Sequence, residues 1–134
     1  MADGLRKMAG EWFRQDYDNM EEGVNVKEQQ CVTEFVKFLD EDTIIFLKNE
    51  IIVGRQINSN VILDNGLISR KHCMIKRHFS LTGNFFTVTD LGSKHGTSVK
   101  KRGRKTPVKL EPYKEFRIEK SDVIRLGQDI LLFV

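Results

Sequence analysis

Short apolar runs, separated by turn residues about every 8–12 positions, dominate the sequence after residue 30. The runs at 43–47, 85–89 and 130–134 are rich in β-branched and aromatic side chains, which favour strands. Pro107 and Pro112 are the only prolines in the sequence, and both lie between runs. Because about ten such runs occur and none has the period of a long helix, the sequence predicts an all-β sandwich or barrel with mostly antiparallel strands.

Residues 1–30 have a different composition from the rest of the chain. They carry seven acidic and four basic side chains, whereas the remainder carries 12 acidic and 18 basic ones. Their apolar residues, including Trp12 and Phe13, follow no regular period. We therefore predict a flexible, acidic N-terminal arm at 1–30 and a folded domain at 31–134. The basic domain favours an anionic partner, and Trp12 and Phe13 are available to dock on the domain or on a second copy.

Composition excludes several classes of protein. The chain has 134 residues, of which 40% are hydrophobic and 31% charged, as in one globular domain that needs no disulfide or metal staple. Cys31 and Cys73 lie beside apolar residues, so we predict buried free thiols and a reducing compartment. Two cysteines and three histidines without paired spacing do not suggest a zinc site. No secretory signal and no apolar run near the ~20 residues of a membrane helix occurs, so we predict an intracellular protein without membrane or cofactor contacts.

Three polar motifs follow apolar runs in the middle of the chain. The first is Gly-Arg at 54–55, where glycine permits a close backbone approach and arginine presents a fork of five donors. The second is Ser-Arg-Lys-His at 69–72, which sets a hydroxyl beside two cations and suits an oxyanion. The plainer interpretations are a solvated Arg55 and a Ser69 that only closes a turn on its own backbone.

The third motif is Asp-Leu-Gly-Ser-Lys-His-Gly-Thr at 90–97. Its two glycines are predicted to adopt conformations that a β-carbon disfavours, and its Asp, Ser and Thr side chains can bond local amides and keep the turn rigid. His72 opens an apolar run, so we interpret it as a structural histidine. Since Ser69 has no Gly-x-Ser-x-Gly elbow and no orienting acid is apparent, we predict no catalytic residue and no enzyme activity.

Together the three motifs resemble the forkhead-associated (FHA) domain family, whose pattern is Gly-Arg, then Ser-x-x-His, then Asp-x-x-Ser-x-Asn-Gly-Thr. The resemblance covers roughly residues 31–134 and includes Asp-Val-Ile-Arg-Leu-Gly at 122–127, which looks like the family's closing strand turn. It implies an FHA-like β-sandwich of about eleven strands that binds phosphothreonine peptides at the loops of one rim. A phosphate, with about −1.5 to −2 charge at pH 7, suits such an arginine-centred cluster.

By this resemblance Arg55 and Ser69 hold the phosphate, and Arg70 or Lys71 assists. The phosphopeptide-binding set that we expect is Arg55, Ser69, Arg70, Lys71, Lys94, His95 and Lys100, and the architectural set is Gly54, His72, Gly96 and Thr97.

Two positions depart from the family pattern. His95 stands where the family usually has an asparagine that bonds the peptide backbone, and Lys100 replaces a second asparagine three residues after Thr97. A lysine donates hydrogen bonds but accepts none. Two functions therefore stay open: binding of a phosphothreonine protein, and homodimerisation or another structural role in a domain that keeps the fold but has lost the peptide.

Five of the six residues at 100–105 are basic. This stretch is interpreted as a solvated hairpin tip, as a nuclear import signal or accessory anion contact, or as a direct nucleic-acid contact. It contains no aromatic residue for base stacking. An FHA domain near the start of a chain is similar to DNA-damage-response mediator proteins, some of which self-associate through it. We therefore expect a nuclear or cytoplasmic protein of DNA-damage signalling.

Overall fold

In a computed structural model, residues 3–9, 12 and 35–134 are described, and within them the chain forms twelve β-strands and no helix. The prediction of an all-β fold is confirmed, with one strand more than the expected eleven. None of these described residues forms a helix that could cross a membrane. The strands are β1 (Gly4–Ala9), β2 (Val36–Phe38), β3 (Thr43–Phe46), β4 (Glu50–Gly54), β5 (Val61–Ile62), β6 (Cys73–His78), β7 (Phe85–Asp90), β8 (Thr97–Lys100), β9 (Val108–Lys109), β10 (Phe116–Ile118), β11 (Val123–Leu126) and β12 (Asp129–Phe133).

The strands form two sheets with the apolar core between them. One sheet has seven strands in the order β2-β3-β1-β12-β11-β8-β9, and the other has five in the order β10-β7-β6-β4-β5. Neighbouring strands are antiparallel except for β4 and β5. Within the core, the rings of Phe133 and Phe86 lie 5.0 Å apart between centroids. This arrangement is the β-sandwich that the alternating runs predict.

Strand β1 corrects the expectation of a flexible arm at 1–30. Residues 4–9 form an inner strand of the larger sheet, the third of seven, paired with β12 on one side and β3 on the other. A β-carbon on Gly4 would lie 1.9 Å from the carbonyl oxygen of Ile44, so only glycine permits this pairing. Residues 1–2, 10–11 and 13–30 of the predicted arm lie outside the described residues, as does Cys31.

The reason that β1 escapes sequence analysis is a lysine at an inward position. Lys7 lies on the same face of the strand as the core residue Leu5, and its Nζ is 2.9 Å from Oδ1 of Asp129. Both charged side chains are almost completely buried. The ring of Trp12 lies 4.9 Å from Nζ, and Trp12 packs against the core. A buried pair of opposite charges thus replaces the apolar residue that a strand pattern would show.

The loops divide between the two ends of the sandwich, because neighbouring strands run in opposite directions. The rim end, as we call it, carries the loop after β4, the loop before β6 and the turn at 90–97 between β7 and β8. The opposite end, which we call the far end, carries the β8–β9 hairpin loop at 101–107 and the loop at 119–122. The predicted motifs therefore meet at one end, and the basic stretch extends to the other.

Candidate functional site

The backbones of the first two motifs are in direct contact at the rim end. The amide of Arg55 donates to the carbonyl oxygen of Ser69 at 3.0 Å, and the amide of Gln56 donates to that of Arg70 at 3.1 Å. A β-carbon on Gly54 would lie 2.0 Å from the same Arg70 oxygen. Glycine at 54 therefore lets the end of β4 pack against the loop that carries Ser69.

The side chain of Arg55 is held at one nitrogen and exposed at the others. Its Nε donates to the carbonyl oxygen of Ile68 at 2.9 Å. No described protein group accepts a hydrogen bond from Nη1 or Nη2, and the residue is exposed. The guanidinium is thus oriented by the protein, with the outer edge of its donor fork free for an oxyanion.

His72 is completely buried and bonds on both sides of its ring. The amide of Ser69 donates to Nδ1 at 3.1 Å, and Nε2 lies 2.8 Å from the carbonyl oxygen of Gly96. A ring that accepts at Nδ1 and donates at Nε2 is neutral. Burial lowers the pKa of His72, against the opposing effects of the Gly96 bond and the charge of Asp90. His72 therefore links the second motif to the third through two hydrogen bonds of its neutral ring.

Ser69 makes a second connection between the same two loops. Its Oγ accepts a hydrogen bond from the amide of Lys94 at 2.9 Å. Since the hydroxyl is used as an acceptor here, its own hydrogen remains available to a ligand oxygen. The side chain of Ser69 is partly exposed, and its loop adjoins the loop that carries Arg55. Arg55 and Ser69 are thus two oriented donors on adjoining loops.

Asp90 holds the turn at 90–97 from inside. Its carboxylate accepts hydrogen bonds from the amides of Gly92 and Ser93, from Oγ of Ser93 and from Oγ1 of Thr97. Burial alone would raise the pKa of Asp90, but the bonds from Ser93 and Thr97 outweigh it and hold the pKa below its usual value. Gly92 and Gly96 have φ of 74° and 83°, conformations that favour glycine. The third motif is therefore a rigid turn.

Tyr113 is a supporting residue that sequence analysis missed. Its amide donates to the carbonyl oxygen of Asp90 at 2.7 Å, with φ of 63°, a strained value for a non-glycine residue. A β-carbon on Gly92 would lie 2.4 Å from its hydroxyl, so the tyrosine ring covers the turn from outside. Only Pro112 before it hints at a special backbone, and no local pattern indicates the contact.

The predicted cations fall into two groups. Arg70, Lys71, Lys94 and His95 are exposed at the rim end with Arg55, and none of them forms an ion pair with a described residue. Lys100 stands apart, because it lies at the other end of β8, about 10 Å along the strand from Thr97. The structure thus gathers ten of the eleven predicted residues and separates Lys100.

Comparison with known proteins identifies the family. The family model for the FHA domain matches residues 51–127, which include all three rim motifs. The chain belongs to the FHA domain family. No curated protein matched the chain as a relative.

Solved FHA structures have the same fold. The MEK1 FHA domain in complex with a phosphothreonine peptide of HOP1 is 30% identical over 70% of this chain and 88% of that one, with a TM-score of 0.57. Another structure of the MEK1 FHA domain is 23% identical, covering 99% of this chain and 88% of that chain at a TM-score of 0.62. The FHA domain of CT664 from Chlamydia trachomatis is 22% identical, covering 100% and 97% at a TM-score of 0.60. FHA structures of this group thus include phosphothreonine-peptide complexes, and the present chain shares their architecture.

Proposed function

We propose that this FHA domain is a non-catalytic module that binds a phosphothreonine-bearing protein through Arg55 and Ser69. The observation that carries the proposal is the contact between their loops, which leaves the outer guanidinium nitrogens and the Ser69 hydroxyl hydrogen free on adjoining loops. A phosphate offers three acceptor oxygens to such donors. The exposed cations Arg70, Lys71 and Lys94 add attraction for the dianion.

The experiment is calorimetric titration with a phosphothreonine peptide library and its unphosphorylated counterparts. Arg55→Ala removes one or two charge-assisted hydrogen bonds, each worth about 1.5–3 kcal/mol, so affinity should fall by at least tenfold. Arg55→Lys keeps the charge without the fork and should give an intermediate loss. Arg117→Ala, which removes an exposed arginine on β10 outside the rim motifs, is the matched control and should bind like the wild type. Equal affinity of the wild type for both peptide forms would refute the proposal.

We also propose that the module acts in nuclear DNA-damage signalling, although a cytoplasmic protein would have the same binding chemistry. The support is the basic stretch at 100–105, whose composition suits an import signal, together with an analogy to mediator proteins that carry FHA domains. A fluorescent fusion of the wild type should accumulate in nuclei, whereas Lys105→Gln with Arg104→Gln should shift it to the cytoplasm. Equal nuclear fractions would count against this location signal.

A second candidate function is homodimerisation. It is favoured by three exposed apolar side chains in far-end loops: Leu47 follows β3, and Phe79 and Leu81 follow β6. The loop that carries Leu47 is joined to the end of β6 by a hydrogen bond from the amide of Arg77 to the carbonyl oxygen of Asn49. Exposed apolar groups in adjacent loops can form the buried centre of an interface.

The dimer is tested by light scattering over a hundredfold range of protein concentration. The wild type should shift from monomer to dimer mass, and the double variant Phe79→Ser with Leu81→Ser should remain a monomer throughout. A wild-type mass that stays that of a monomer at every concentration would exclude the second candidate.

A further inference from the structure

The β8–β9 hairpin is the most basic part of the described surface. Between Thr97 and Leu110 it contains six lysines and arginines and no acidic residue. The two strands are antiparallel neighbours at the edge of the seven-stranded sheet. Lys109 and Arg125 both pair with Ser98 at the rim end of β8, where Lys109 lies beside Gly96 and Arg125 borders a pocket with His95. The surface that we call the basic hairpin consists of the exposed cations towards the far end: Lys100, Arg102, Arg104 and Lys105.

Lys101 differs from the other cations of this stretch, because it is turned inward. Its Nζ lies 2.5 Å from Oδ2 of Asp122 and 3.0 Å from Oε1 of Glu119. Burial would lower the pKa of Lys101, but these bonds and charges outweigh it and raise the pKa. Lys101 is therefore a charged anchor for the hairpin, while none of the basic-hairpin residues forms an ion pair within the described part of the chain.

The hairpin loop is built as a defined turn. The amide of Arg102 donates to Oδ1 of the buried Asp122 at 2.9 Å, and the amide of Arg104 donates to the carbonyl oxygen of Lys101 at 3.0 Å. Gly103, at the tip, has φ of 81°. The arginine backbones are consequently ordered before any partner binds, which reduces the entropy that binding must overcome.

The chemistry of this surface fits the phosphodiester backbone of a duplex. Lys100, Arg102, Arg104 and Lys105 place four positive charges within six consecutive residues, and a duplex carries one negative charge about every 1.7 Å along its axis. A folded protein partner would need aromatic or apolar anchors, and the only exposed large apolar residue of the hairpin is the half-exposed Val108. Single-stranded nucleic acid would need aromatic rings for base stacking, and residues 97–110 contain none.

We propose that the basic hairpin binds the backbone of double-stranded nucleic acid without sequence preference, at a site separate from the phosphothreonine rim. The hairpin loop lies at the far end, whereas Arg55 and Ser69 lie at the rim end. A duplex on the hairpin loop leaves the Arg55 and Ser69 donors uncovered. The domain can thus hold a phosphoprotein and a duplex at the same time.

The experiment is fluorescence anisotropy of the whole chain with a labelled DNA duplex of about 20 base pairs, between about 50 and 200 mM salt. Binding at low salt should weaken steeply, with a slope of log K against log salt of about −4 or steeper. The triple variant Arg102→Gln, Arg104→Gln, Lys105→Gln should reduce that slope by about 2–3. A double-stranded RNA of the same length should bind similarly, because the shared chemistry is the phosphate backbone.

The matched control removes the same charge elsewhere. Lys37→Gln, Lys48→Gln, Lys114→Gln changes three exposed lysines outside the hairpin and should keep the wild-type slope. Arg55→Ala should also bind DNA like the wild type, so failure of the rim and failure of the hairpin are distinguishable. Unchanged Tm values establish that each variant is folded. The proposal is overturned by no binding at 50 mM salt, by equal losses in both triple variants, or by polyglutamate that competes as well as the duplex, which would indicate an acidic protein instead.

Discussion

Two buried aspartates, one at each end of the sandwich, hold a polar loop by the same means but with different partners. Asp90 at the rim end and Asp122 at the far end are each 1% exposed. Asp90 accepts from neutral groups of its own turn, within seven residues along the chain. Asp122 accepts from the amides of Arg102 and Glu119 and from the ammonium of Lys101, which is 21 residues away.

The two loops differ in how many of their positive charges remain available to a ligand. Since neutral donors satisfy Asp90, every cation of the rim stays free to attract an anion. At the far end one cation, Lys101, is used to compensate the buried carboxylate, and the loop has enough other cations to remain strongly basic. The rim is therefore a compact site with oriented donors, and the hairpin is an extended charged surface.

Asp90→Ala should give the largest loss of stability, and it tests whether the rim depends on this one carboxylate. The substitution removes the acceptor of four hydrogen bonds, one of them from the completely buried Thr97 hydroxyl, so the free energy of unfolding should fall by about 3 kcal/mol or more. Urea unfolding measures the loss, and peptide titration should show weakened binding. Full peptide affinity in a folded Asp90→Ala protein would mean that the turn is ordered by other contacts.

Asp122→Ala should cost less, about 2 kcal/mol, because Lys101 is a quarter exposed and keeps Glu119 as a partner. The two aspartates are distinguished by binding assays rather than by stability. Asp122→Ala should weaken duplex binding and leave phosphopeptide affinity unchanged. Asp122→Asn, which keeps the shape of the side chain, is the control for cavity effects. Weakened peptide affinity in Asp122→Ala would contradict the independence of the two ends.

His72 gives the rim end a pH dependence of stability. Its pKa in the folded protein is lowered from about 6.5, so its contribution to stability is fully present above that pH and is lost as pH falls through the folded pKa. The slope should reach at most about 1.4 kcal/mol per pH unit below pH 6.5. Unfolding at several pH values should show a flatter profile for His72→Gln, while His95→Gln, which removes only the smallest of the effects on the pKa of His72, should keep most of the wild-type slope. Identical profiles for both variants would assign the pH dependence to other groups.

His95→Asn should have the smallest effect, with almost no change in stability, because the side chain is exposed at the tip of the turn. An amide there supplies both a donor and an acceptor to the peptide backbone, so phosphopeptide affinity should rise by a few-fold. Titration of both proteins with the same peptide measures the gain. Unchanged affinity would indicate that position 95 does not contact the peptide.

The features that depend on residues close together in the chain could be predicted from the sequence, and those that depend on distant residues could not. The 90–97 turn is recognisable because Asp90 and its donors lie within eight consecutive residues. The strands from β3 to β12 are recognisable because they coincide with apolar runs. The ion pair of Lys7 and Asp129 could not be predicted, because the two residues are far apart in the chain. Each charge, taken alone, argues against burial of its own side chain. The distance of Lys100 from the rim could not be foreseen, because it depends on β8 running from Thr97 in the motif to Lys100 at its other end. Tyr113 was missed because its role is a contact across loops.

The position of β1 inside the larger sheet has a practical consequence for any shortened version of this domain. The family match at 51–127 ends before β12 and excludes β1 to β3, so a fragment with those boundaries would lose four of the seven strands of the larger sheet. A fragment that begins at residue 31 would still leave a gap between β3 and β12. The hydrogen-bonding groups facing that gap would be open to strand addition from other molecules. Gly4 to Ala9 must therefore remain in any soluble fragment used to study the binding surfaces.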